Sequence, residues 1–116
     1  MHKNLGPGLL ESVYEKCLIH ELNLNGLKTN NQVKVPINYK GITLDADLRT
    51  DIIVENLIVV ELKAADLILP IYKAQLLTYL KLMKMPKGLL INFNTFNITE
   101  SLVPLVNNYF ESLPDE

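Results

Sequence analysis

The spacing of apolar residues switches between helical and alternating along the chain, and each switch marks an element. After Pro7, Leu10, Val13, Tyr14, Cys17, Leu18 and Leu22 recur at helical spacing and Asn25-Gly26 supplies a stop, which predicts a first helix of about four turns. Residues 32–44 alternate through Val33, Val35 and Ile37, turn at Lys40-Gly41 and resume at Ile42 and Leu44. That is the pattern of a strand and turn feeding the next strand as a meander. Pro36 cannot donate a ladder hydrogen bond, so an edge position or a bulge is expected there. Two nearly unbroken apolar runs, 49–54 and 58–63, flank Glu55-Asn56-Leu57 and predict a hairpin. From Pro70 to Lys84 the spacing is helical again, with Ala74, Leu77, Leu80 and Met83 or Met85 inward and Tyr72, Gln75 and Tyr79 on a neighbouring stripe. The apolar run Gly88 to Phe93 reads as a central strand beside the 58–63 run. Two apolar strands joined through a helix favour parallel pairing with a right-handed crossover. Past Asn94 the pattern weakens to a strand over Ile98 to Val103 and a short helix or tail over Leu105 to Leu113.

This order defines an α/β fold with a mixed sheet. With 116 residues, 48% of them hydrophobic, the chain suits a single domain over 1–116, with its core at about 5–94 and a C-terminal extension over 95–116. No apolar run approaches the ~20 residues that cross a bilayer, and no basic segment followed by an apolar one opens the chain. A cytoplasmic protein that does not engage membranes is therefore expected. The net charge of −2 supplies no global basic footprint for nucleic acid, although lysines at 73, 81, 84 and 87 gather positive charge around the second helix and its exit. Cys17 lies in an apolar helical stripe and reads as core filling. Neither His2 nor His20 has a partner at zinc-ligand spacing. Gly6-Pro7-Gly8 lacks the GxxxxGK[ST] spacing of a phosphate loop and reads as a lead-in to the helix.

Ionisable residues interrupt the most apolar part of the chain. Arg49 and Asp51 lie in the first run of the hairpin, Glu61 and Lys63 in the second, where desolvation of charge is a cost that packing does not repay. Alternation along a strand puts each of these pairs on one face. With a three-residue connection, Val54 faces Ile58, Ile52 faces Val60, and Asp51 lies opposite Glu61 with Cβ atoms roughly 4.5–5.5 Å apart. Like charges so placed repel unless a cation separates them, and two carboxylates plus waters suit Mg²⁺ or Mn²⁺. Lys63 points into the same place. The competing explanation is a surface ion-pair ladder of Arg49, Asp51, Glu61 and Lys63 on the solvated face of an antiparallel sheet.

Four segments now stand in order: Gly8-Leu9-Leu10-Glu11-Ser12-Val13-Tyr14, then Asp51, then Glu61-Leu62-Lys63, then Gln75-Leu76-Leu77-Thr78-Tyr79. Together they resemble the PD-(D/E)xK phosphodiesterase superfamily, the restriction-endonuclease-like nucleases. The first segment is similar to the pattern that names the GxxExxY family, and the last looks like the QxxxY motif of RecB-type nucleases. The resemblance spans roughly residues 3–94 and departs at Thr50, which stands where the motif usually has a proline.

It implies a restriction-endonuclease-like α-β-β-β-α-β core, a central mixed sheet flanked by helices, and metal-dependent hydrolysis of DNA or RNA phosphodiesters. By this resemblance Asp51, Glu61, the Leu62 carbonyl and Glu11 would hold Mg²⁺ or Mn²⁺, and Asp51, Glu61, Lys63 and Gln75 would form the catalytic set. Lys63 would handle the attacking water and Gln75 would orient the lysine or a phosphate. Gln75, Tyr79, Arg49 and Lys73 would meet the nucleic acid. On the residues alone, Glu11 is equally an acid at a helix start and Glu15 an ordinary solvated side chain. The small size leaves substrate grip to a homodimer or a partner subunit. The alternative function is a nucleic-acid-binding or regulatory module of the same fold, weak or inactive without a partner protein.

Overall fold

The computed structural model describes residues 5–96 and 98–107. Its elements are α1 (Glu11–Leu24), β1 (Thr29–Lys34), β2 (Ile37–Tyr39), β3 (Ile42–Leu44), β4 (Arg49–Val54), β5 (Ile58–Lys63), α2 (Pro70–Met83), β6 (Lys87–Asn92), a 3₁₀ turn (Ile98–Ser101) and β7 (Val103–Val106). Five strands form a mixed sheet in the order β1-β4-β5-β6-β7, while β2 and β3 pair with each other as a separate ribbon. Only β5 and β6 run parallel, and α2 makes the crossover between them. This is the expected α/β architecture, with the sheet between two helices.

The apolar runs of β4, β5 and β6 are buried nearly end to end because both faces are covered. On one face Ile52, Val54, Val60, Leu62, Ile91 and Phe93 pack with Tyr14 of α1. On the other, Ile53, Val59 and Leu90 meet Leu76 and Leu80 of α2. The β4–β5 turn takes the expected register, Val54 opposite Ile58 and Ile52 opposite Val60. Glu55 and Asn56 both adopt φ 54, the pair of left-handed residues that matches the twist of a hairpin.

Several expectations need correction. The first helix begins at Glu11, four residues after Pro7, and Leu10 stays 72% exposed as its N-cap. Ala74 is exposed, and α2 buries Leu76 completely, together with Leu80. The phase of that helix is set by Gly88 on β6, where a Cβ would stand 3.1 Å from Leu76, so the missing side chain makes room for Leu76 and Leu80. The 32–44 run is not one strand and a turn. It breaks at Val35-Pro36, so that β1 ends at Lys34 and the β2–β3 ribbon lies outside the main sheet. Proline's missing N–H accounts for the break. Ile98–Ser101 is a 3₁₀ turn, and the strand comes later, at Val103–Val106, antiparallel to β6. Of the helix or tail expected over 105–113, Leu105 and Val106 belong to β7, Asn107 follows the strand, and residues 108–113 lie outside those described.

Candidate active site

The ladder between β4 and β5 stops at Ile52–Val60, one pair short of Asp51 and Glu61. In its place the two acids bond to the opposite backbones: the Asp51 N–H donates to Glu61 Oε1 at 3.2 Å, and the Leu62 N–H donates to Asp51 Oδ2 at 2.7 Å. The carboxyls do meet, at the point where side-chain oxygens have replaced main-chain acceptors.

Glu61 is 6% exposed. Burial and the neighbouring Asp51 push its carboxyl up to about 8. Burial also raises Asp51, against the pull of the Leu62 N–H. Among the described residues the ion pairs are Lys34–Asp45 and Arg49–Asp47, both on the surface, and neither includes Asp51 or Glu61. The solvated ion-pair ladder is therefore not what these residues form.

The start of α1 is brought to this place by Tyr14, which is fully buried and stacks on Phe93 with centroids 4.6 Å apart. Its hydroxyl donates to the Gly6 carbonyl at 2.5 Å and accepts from the Leu9 N–H at 3.1 Å. Those bonds tie down a loop in which Gly8 takes φ +99, a region that side chains disfavour. Three residues before Tyr14, Glu11 lines a cavity with Ser12, Glu15, Gln32, Asp51 and Leu62. Partial burial, followed by the Asp51 charge, lifts Glu11 above the ordinary carboxylate range.

Lys63 leaves the sheet toward α2, its Nζ 4.6 Å from the centroid of the Tyr72 ring. Two further residues of α2 are linked, Gln75 Nε2 donating to Tyr79 Oη at 3.0 Å. Tyr79 is buried, and desolvation followed by the Glu61 charge raises its phenol. The structure thus gathers Asp51, Glu61, Leu62 and Glu11 in one neighbourhood, with Lys63 and Tyr79 adjoining it. Arg49 is turned to Asp47, bonded through Nε and Nη2 at 3.3 Å each. Lys73 is an exposed residue of α2.

Two residues of this neighbourhood escape the sequence analysis. Glu15 is not free in solvent, since its Oε1 accepts from Gln32 Nε2 at 2.7 Å. The same Gln32 side chain lines the cavity with Asp51. Only the polar interruption of the β1 run hinted at Gln32, and that is an ordinary sight on an edge strand.

Among the described residues no three His, Cys, Asp or Glu side chains form a metal-ligand cluster by themselves. The oxygen pair at Asp51 and Glu61 nevertheless fits a hard divalent cation. The acids are desolvated and face each other, and among the described residues neither forms an ion pair, Lys63 offsetting only part of their charge, so that a proton or a bound cation relieves their repulsion. The chain is thus a mixed sheet between two helices, with paired acids and a lysine at the end of its antiparallel hairpin. The sequence model of the PD-(D/E)XK nuclease superfamily matches residues 1–103, and the chain belongs to that superfamily. Nucleases of this superfamily generally use divalent metals, and their substrates are nucleic acids. No curated protein and no solved structure gives a significant match. No helix among the described residues is long and apolar enough to cross a membrane.

Proposed function

We propose that this protein is a Mg²⁺- or Mn²⁺-dependent nuclease of the GxxExxY family that hydrolyses phosphodiester bonds of DNA or RNA in the cytoplasm. The observation that supports this reading best is the pair of acids, Asp51 half-buried and Glu61 buried, brought together where the ladder opens and in no ion pair among the described residues. Asp51, Glu61 and the Leu62 carbonyl would hold the cation, with Glu11 reaching in from α1. When bound, the ion supplies charge neutralisation at the phosphate and acidifies a water. Lys63 would orient the attacking water and offer its ammonium to the charge growing on the phosphoryl oxygens. The Lys63 ammonium rests over the Tyr72 ring at the edge of the site. Gln75 and Tyr79, already joined to each other, present amide and phenol groups on the α2 side, while Arg49 and Lys73 lie farther out as cations for the nucleic-acid backbone.

A second reading, a binding module that needs a partner protein or a second copy to act, is favoured by the net charge of −2, which gives little unaided hold on a polyanion. The test is to incubate the protein with Mg²⁺ or Mn²⁺ and labelled single- and double-stranded DNA and RNA, with Asp51→Ala and Lys63→Ala in parallel. The nuclease reading expects cleavage by the parent and by neither variant, with a metal-induced rise in melting temperature that Lys63→Ala keeps and Asp51→Ala loses. Metal binding that depends on Asp51, without cleavage of any substrate, would turn the assignment to the partner-dependent module. A metal response unaffected by Asp51→Ala would overturn both.

A further inference from the structure

Gln32 has a backbone that its strand does not call for. It lies inside β1 with φ 51, in the left-handed region that residues with side chains disfavour and that breaks the rhythm of a strand. The β1–β4 register pairs Asn31 with Ile52 and Val33 with Thr50 but leaves out the pair between them, Gln32 and Asp51. Asp51 is therefore released on both sides, from β1 at Gln32 and from β5 at Glu61. An exposed glutamine gains little stability from its hydrogen bonds, because water offers the same partners. The unfavourable backbone is consequently not explained by what the side chain adds to the fold. It is explained by where the carboxamide is delivered: the side chain bonds to Glu15 on α1 and lines, together with Asp51 of β4 across the open ladder pair, the cavity between them.

We propose that Gln32 is a positioning residue, a carboxamide strap anchored on Glu15 that holds the Asp51 carboxylate against the Leu62 N–H and sets the distance between α1 and β4 across the cavity. Its left-handed backbone is what carries the amide over the gap in the ladder. The strap is a property of the metal-free protein; its consequence for turnover rests on the nuclease reading above.

The deciding variant is Gln32→Gly, which removes the carboxamide while glycine adopts a positive φ without strain. In metal-free protein, amide hydrogen exchange at Leu62 should speed up by about tenfold or more, while Ile52 and Val60, paired with each other in the regular ladder, keep their rates. The Mg²⁺ concentration giving half of the thermal shift should rise by about tenfold, and kcat should fall with little change in KM. Glu15→Ala, which takes away the anchor, should move the same readouts in the same direction by less. Unchanged exchange at Leu62 in Gln32→Gly would overturn the proposal. So would exchange that rises evenly along β4 and β5 in both Gln32→Gly and the isosteric Gln32→Glu, since that is what a merely structural residue predicts. If the parent neither binds metal nor cleaves, the nuclease reading fails, and the Leu62 exchange still decides the role of the strap.

Discussion

Glu61→Gln should stabilise the metal-free protein at alkaline pH while abolishing any cleavage. In the fold the Glu61 carboxyl is pushed from its ordinary 4.5 up to about 8 by burial and by Asp51. Between those values the folded state holds a proton that the unfolded chain has released, so stability falls as pH rises. The contribution is fully favourable below 4.5 and is lost on passing through about 8. The loss is on the order of 3–5 kcal/mol, the lower end applying where water enters the cavity as the group ionises. For a chain of this size that is roughly 10–25 °C in Tm.

Glutamine keeps an oxygen for the Asp51 N–H and cannot ionise, so the variant should escape this loss. The assay is a set of thermal melts from pH 5 to 9 in chelator, parent against Glu61→Gln, repeated with Mg²⁺. The parent should lose ground to the variant steadily above pH 5. Mg²⁺ at about a hundred times its dissociation constant should return about 2.7 kcal/mol to the parent alone. A parent-to-variant difference in Tm that stays constant across the pH range would refute the argument that these acids are stored at a desolvation cost.

Three further outcomes test how the site is held. Tyr14→Phe keeps the stack on Phe93 but drops the bonds to Gly6 and Leu9, and should cost about 1–3 kcal/mol in denaturant melts. Its larger effect should be on metal affinity through the start of α1, and an unchanged metal midpoint would separate Glu11 from the site. Gly88→Ala places a Cβ 3.1 Å from Leu76 and should destabilise by about 1–3 kcal/mol in the same melts. Pairing it with Leu76→Val should restore part of that loss; no recovery would mean that the contact does not limit helix packing. Tyr72→Leu frees Lys63 from its ring and should leave the metal-induced thermal shift intact while raising or lowering kcat several-fold. A lost thermal shift would instead make Tyr72 part of the metal neighbourhood.

The elements and their order can be read from the chain wherever the signal is local and strong. Burial of β4, β5 and β6 on both faces was legible as unbroken aliphatic runs, and the register that puts Ile52 opposite Val60 followed from the length of the connection. The acids and the lysine stood out because charge is rare in such runs, and the motif resemblance supplied Glu11, Gln75 and Tyr79, which periodicity alone would have left as surface or core-edge residues. The phase of α2 was not legible. Whether Ala74 or Leu76 turns inward depends on the space above Gly88, which lies on another element.

How the candidate site is made depends on contacts between strands and helices distant in the chain. That Asp51 and Glu61 should exchange main-chain for side-chain acceptors follows from the ladder opening at their pair. A second opening, on the β1 side of Asp51, falls at Gln32, a residue of a different strand whose left-handed backbone no local pattern announces. The elevated carboxyls have the same origin, since desolvation depends on what covers a group in space. Hydrophobic periodicity is written between near neighbours in the chain. A hydrogen bond from Gln32 to Glu15, or from Leu62 to Asp51, joins positions 17 and 11 residues apart, and forms only after the sheet and α1 have packed.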